Sequence, residues 1–264
     1  MRTIAISSVL LMLFAAATMS IFAQTNEQME AELVAGIKDV QTYSTYGGNY
    51  DEDKLTKAQE AFEMKLLKYT KVPSTMKYQF NELDEHLTIA ASDDGRFRVF
   101  SWDMQDGGTM HRFARVYQYQ AASGKVYSRT DPFEEEGMGH GFVHHIYAMN
   151  TNSGTVYVVC STSIASSKIH QQSAVLYKIT GASLKDDVKL IRTKSGLTNT
   201  LTFEYDNFSV IDRNRQSEDL ITFDKKSGTL TIPVVINDDE YPDGEVTDKV
   251  IRYRFNGRYF VKAA

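Results

Sequence analysis

The chain has a single cysteine, Cys160, so it cannot form an internal disulfide. At 264 residues it is long enough to bury a core without one. Cys160 sits in the β-branched run TVYVVCSTS with no basic residue or histidine beside it. It reads as a small buried hydrophobe rather than a reactive thiol. Positive charge is also scarce, with 29 Lys and Arg against 34 Asp and Glu, a formal net charge of −5. Binding nucleic acid needs a concentrated basic surface, so nucleic acid is not an expected partner. Several catalytic signatures are missing as well. No G-x-S-x-G elbow, helical H-E-x-x-H pair or regular calcium-loop spacing occurs.

What is present begins with MRTIAISSVLLMLFAAATMSIFAQ: one basic residue, Arg2, then an apolar run over residues 4–22, then Ala23 before a polar chain. This is the pattern of a secretory signal peptide cleaved near Ala23. Its removal takes one basic residue and no acidic one, leaving a formal charge of −6. The expected location is periplasmic or secreted, with no membrane span after cleavage.

The remainder divides into two regions by hydrophobic period. In residues 24–73, Met29, Leu33, Ile37 and Val40 share one helical face, and Leu55, Ala58, Phe62, Leu66 and Tyr69 share another. Asp51, Glu52 and Asp53 load the start of the second helix, Lys65, Lys68 and Lys71 its end, and Pro73 follows. A turn at Gly47-Gly48 makes this a helical hairpin. In residues 74–264 the period changes to two. Beginning with Met76, Tyr78 and Phe80, about thirteen runs rich in Val, Ile, Tyr, Phe and Thr follow without a helical interval. The expected fold is therefore mainly β with an N-terminal helical hairpin, an α+β chain whose β part is an antiparallel meander sheet, sandwich, barrel or partial propeller. Turns at Gly95, Gly124 and Gly154, and again at Gly228 and Gly257, recur every 29 or 30 residues and mark a repeated group of short strands.

Three stretches carry candidate chemistry. EEEGMGHGFVHHIY, residues 134–147, gathers His140, His144 and Glu134 to Glu136 as candidate metal ligands. Strand alternation points the adjacent His144 and His145 to opposite faces, and a solvated turn running into a strand explains the same residues. SWDMQDGGTMH, residues 101–111, holds Trp102 and sets Asp103 across a hairpin from His111, half of a hydrolase triad with no nucleophile identified. INDDEYPDGEVTD, residues 236–248, offers oxygen ligands for calcium, although a charged turn accounts for it equally. Tyr43, Tyr46 and Tyr50 cluster in the turn between the helices and, with Trp102, form a candidate stacking surface for sugars or a protein partner.

No complete catalytic constellation emerges. The function expected from sequence is an exported, non-catalytic binding or interaction protein of the cell envelope, with a protein or glycan as ligand. Two alternatives are an envelope hydrolase, metal-assisted or not, using His111 with Asp103 or His140 with His144 and nearby Glu, and a carbohydrate-binding β module. A divalent metal is the one cofactor the residues suggest.

Overall fold

The structure, a computed structural model, describes residues 24–131, 140–213 and 220–263. The helical hairpin forms as its spacing predicts, from α1 (Asn26–Thr42) and α2 (Glu52–Tyr69). Thr25 and Gln28 close a reciprocal capping box on α1, and the Asp51 side chain accepts from the backbone N–H of Lys54 to cap α2. No helix among the described residues is long and apolar enough to cross a membrane.

Among the described residues the strands build three open sheets, none closed into a barrel. The first is β1 (Thr88–Ala91), β2 (Phe97–Asp103), β3 (Phe113–Gln120) and β4 (Val126–Thr130), adjacent in chain order. In the middle sheet, β5 (Phe142–Thr151), β6 (Gly154–Ile164) and β7 (Ile169–Thr180) are followed by β11 (Thr200–Asp206), and β8 (Ser183–Lys185) pairs with the end of β7. The last sheet runs β10 (Gly196–Thr198), β9 (Ile191–Thr193), β15 (Phe260–Lys262), β14 (Glu245–Phe255), β13 (Thr229–Ile236) and β12 (Thr222–Asp224). A short helix, α3 (Phe208–Ile211), follows β11. Every pairing is antiparallel except β15 with β9. The recurring glycines are hairpin turns: Gly95 (φ 66°) joins β1 to β2 and Gly154 (φ 109°) joins β5 to β6, conformations that a side chain would strain.

Stacking follows from which face of each strand is apolar. Leu33, Ile37, Phe62 and Leu66 of the helices pack on Phe100, Trp102 and Val116 of the first sheet. The opposite face of that sheet, with Phe97, Val99, Tyr117 and Tyr119, meets Val143, Ile146, Tyr157 and Val159 of the middle sheet. The far side of the middle sheet, with Val156, Val158, Cys160, Ala174 and Leu176, meets Ile191, Leu230, Tyr253 and Phe260 of the last. The order is helices, sheet, sheet, sheet. A middle sheet covered on both faces has no polar side, which is why β6 reads as the continuous run VYVVC instead of an alternation. Burial also raises the Cys160 thiol to about 12, keeping it a protonated hydrophobe.

Two sequence expectations are corrected. The alternating stretch Met76 to Asn81 is not a strand: residues 73–77 form a 3-10 turn, and the segment after them runs extended beside the helices. Local backbone bonds and side chains, not a neighbouring strand, hold this stretch and the turn after it: the Tyr78 N–H donates to the Thr75 carbonyl and the Asp84 N–H to the Phe80 carbonyl. Arg98 donates from Nη1 to the carbonyl of Tyr78, and the Glu30 carboxylate accepts from the N–H groups of Glu82 and Leu83. Second, His144 and His145 do not simply face opposite ways. Register passes from Val143 opposite Ser161 to His145 opposite Cys160, leaving His144 as the extra residue of a β-bulge, with its ring 5.1 Å from that of His145.

Candidate functional site

The hairpin between β2 and β3 does bring Asp103 and His111 together, with Nδ1 of His111 2.6 Å from Oδ2 of Asp103. The Tyr46 hydroxyl lies 3.2 Å from the same nitrogen. Among the described residues these are the only side chains hydrogen-bonded to His111, and neither is a nucleophile poised on Nε2. The surroundings explain the cluster structurally. Thr45 donates from its backbone N–H to the Gln105 carbonyl at 2.9 Å and from its hydroxyl to the Gly107 carbonyl at 2.6 Å, and the Ser44 hydroxyl donates to Gln105 Oε1 at 2.8 Å. The helical turn is thereby fastened to the loop between β2 and β3. Burial and the nearby Asp103 and Asp106 carboxylates raise the Tyr46 phenol to about 12, so it stays a hydroxyl. Replacing Asp103 with Ala should cost about 1–2 kcal/mol and speed amide exchange in residues 104–110. Unchanged exchange there would deny the fastening role.

The other candidates disperse. Trp102 is 2 % exposed and meets Phe62 edge-on at 5.1 Å, so it belongs to the core and presents no face to a sugar. Tyr46 and Tyr50 are exposed and Tyr43 is half-buried against α2, without a shared planar row containing Trp102. His140 pairs through its backbone with Phe113, while the His144 ring lies between Phe142 and His145, and no ring contact joins His140 to His144. Among the described residues no three His, Cys, Asp or Glu side chains converge to hold a metal ion. Glu134 and Glu136 lie outside the described residues. In the acidic turn, Asp238 accepts from its own backbone at Glu240 and Tyr241, while Asp243 and Glu245 pair with Lys168 and Arg213.

The most organised polar site lies between the first and middle sheets. In β6 and β7 the apolar residues stop at the same register, after Cys160 opposite Ala174, and continue as Ser161 opposite Ser173, Thr162 opposite Gln172 and Ser163 opposite Gln171. Ser161, Ser163, Gln171 and Ser173 form the floor of a cleft of about 370 Å³, within the size range of small-ligand pockets. Ser161 and Ser173 hydroxyls bond across the strands at 3.0 Å.

Arg115 and Arg129 form the roof, with Asp131, His140 and Tyr177 at the sides. Arg115 lies on the inward face of β3 with Tyr117 and Tyr119 and is 7 % exposed. Its Nε donates to the Gly141 carbonyl at 2.6 Å, and Nη1 reaches the Tyr117 hydroxyl at 3.5 Å. That carbonyl is in place because Gly141 packs directly on β6: a Cβ there would lie 2.0 Å from the Thr162 carbonyl oxygen. The Tyr117 hydroxyl donates to Asp131, which also accepts from Arg129 at 2.9 Å and lies 3.8 Å from His140 Nε2. Burial raises the phenols of Tyr117 and Tyr177, so both remain neutral donors. Among the described residues Arg115 has no carboxylate within salt-bridge distance, and no protein group accepts from its Nη2. A buried guanidinium with no described carboxylate within salt-bridge distance favours an oxyanion beside it, through paired charge-assisted hydrogen bonds. A second, more apolar cavity of about 280 Å³ shares Arg115, Asp131 and His140 and is closed by Gln59, Glu60 and Glu63 of α2.

The chain matches no family model, and no match was found for it among curated proteins or among solved structures.

Proposed function

We propose that this is an exported, non-catalytic binding protein whose cleft between the first and middle sheets seats the oxyanion end of a small polar ligand on Arg115. The observation that carries this reading is the buried guanidinium, held on one side by the Gly141 carbonyl, lining the same cleft as the serine hydroxyls and, among the described residues, without a carboxylate within salt-bridge distance. Arg129 is already committed to Asp131, and its other end lies 3.5 Å from Asp186, so it shapes the wall while Arg115 receives the charge. The hydroxyls and amides of Ser163, Gln171 and Asn199 supply directional bonds for the rest of the ligand. Export rests on the sequence pattern alone: Arg2, the apolar run and Ala23.

The experiment is thermal melting of the purified chain in phosphate, citrate, acetate and neutral maltose, at fixed ionic strength. An oxyanion that binds only the folded state at roughly a hundred times its Kd stabilises by about 2.7 kcal/mol, a shift of several degrees. The shift should appear with at least one oxyanion, be absent with maltose, and disappear in Arg115→Met while shrinking in Arg115→Lys. Equal shifts in the wild-type and Met proteins would place the binding elsewhere and end the proposal.

A further inference from the structure

The outer face of the last sheet, at the end of the stack away from the helices, has a charge opposite to that of the whole chain. Ile191, Tyr253 and Phe260 turn inward to the core, so their alternating neighbours point outward. One in-register row crosses the sheet as Asp224, Thr229, Arg254, Val261, Arg192 and Leu197, and the next as Thr222, Thr231 and Arg252. Arg258 lies in the turn beside them, and the centre of the Tyr259 ring is 4.8 Å from the Arg192 guanidinium and 5.1 Å from that of Arg258. All four arginines are exposed, and among the described residues none has a carboxylate within salt-bridge distance. Asp224 is the one acidic side chain in these rows, and it is turned onto its own loop, accepting from Ser227 and the Lys226 backbone.

We propose that this face docks on an anionic phospholipid surface. Arginine pairs with phosphodiester oxygens through a planar fork. Positions two apart on β14 are spaced about 7 Å and positions two strands apart about 10 Å, so more than one headgroup can be engaged at once. What favours a bilayer over another polyanion is the apolar component. Leu197 is 41 % exposed beside Arg192, and Val250 is 38 % exposed on the strand that carries Arg252 and Arg254. Aliphatic side chains interleaved with arginines suit the boundary between headgroups and acyl chains. The net charge of −5 opposes any indiscriminate attraction to an anionic bilayer, so binding must come from this face.

The test is co-sedimentation of the purified protein with vesicles of phosphatidylglycerol mixed with phosphatidylcholine, and with phosphatidylcholine alone, at low and physiological salt. Binding is expected only to the anionic vesicles and should weaken with salt. At about a tenfold change for each 1.4 kcal/mol, and about 1 kcal/mol for each cation at the surface, Arg252→Ala with Arg254→Ala should lower partitioning roughly 30-fold. The paired Lys substitutions should keep most of it, which separates charge from folding. No binding, equal binding to neutral vesicles, or an unchanged double Ala variant would overturn the proposal. Retention on dextran sulfate without vesicle binding would overturn it in favour of an acidic polysaccharide. Because Arg115 is not on this face, loss of cleft binding and loss of vesicle binding are separable results.

Discussion

Glu30→Ala is expected to lower the melting temperature by roughly 10 °C, corresponding to about 3–5 kcal/mol. Glu30 lies on α1, is 5 % exposed, and accepts from the Tyr78 hydroxyl at 2.7 Å and from the backbone N–H groups of Glu82 and Leu83 at 2.8 and 3.1 Å. Truncation strands three donors between the hairpin and the segment leading into β1, and a hydrogen bond to a charged group is worth more than a neutral one. Glu30→Gln keeps one carbonyl oxygen in the same place and should lose less than half as much. If Ala and Gln were equally mild, the segment over residues 78–83 would be held by its apolar contacts alone.

The second large effect concerns acid. His144 is the bulged residue of β5, and among the described residues neither of its buried ring nitrogens has a hydrogen-bond partner. Burial, and then the nearby His145 and Arg115, lower its pKa from 6.5 to about 3. In the unfolded chain the imidazole takes up a proton near pH 6.5, whereas the folded protein refuses it until about pH 3. The unfolded state therefore binds more protons through that window. Stability contributed by the neutral ring is present above pH 6.5 and is lost as pH falls toward 3, at about 1.4 kcal/mol per pH unit. His144→Phe, close in shape and without ionisable atoms, should be at least as stable as the wild type at pH 7. By pH 4.5 it should lead by a further ~3 kcal/mol in denaturant titrations. Parallel loss of stability in both proteins would show that His144 titrates in the fold as it does in the open chain. His170, whose pKa burial also lowers, adds in the same direction.

Much of the architecture could be read from local pattern, because period and turn chemistry act within a few residues. The helix faces of Leu33 and Phe62 and the glycine turns are of this kind. So is the Asp103 to His111 pairing, since a hairpin fixes its own register. The layer order depends on which strand faces are covered, and VYVVC carried that information only as a run too apolar for a one-sided sheet. Trp102 and Tyr46 belong to the same end of the molecule, yet one is buried and the other exposed, a difference set by the packing of α2. The bulge at His144 left no local mark.

The cleft did leave a signal, in residues that break their strands' logic. Arg115 occupies an inward position beside Tyr117 and Tyr119, and CSTS and HQQS replace apolar residues at matched register in β6 and β7. Single-strand periodicity identifies such interruptions without showing that they meet. Only the stacking of two sheets puts the guanidinium over the serines. The basic outer face was hidden in another way, because a net charge of −5 averages four outward-facing arginines away.

The most direct test of the binding account is an arginine side-chain NMR titration. With the Nε–Hε resonances assigned by single substitution, the oxyanion that gives the largest thermal shift is added at constant ionic strength. The account predicts saturable movement of Arg115 first, with Arg129 following, while Arg192, Arg252, Arg254 and Arg258 stay in place. Movement confined to the outer arginines, with Arg115 fixed, would contradict it and make the cleft a structural polar seam.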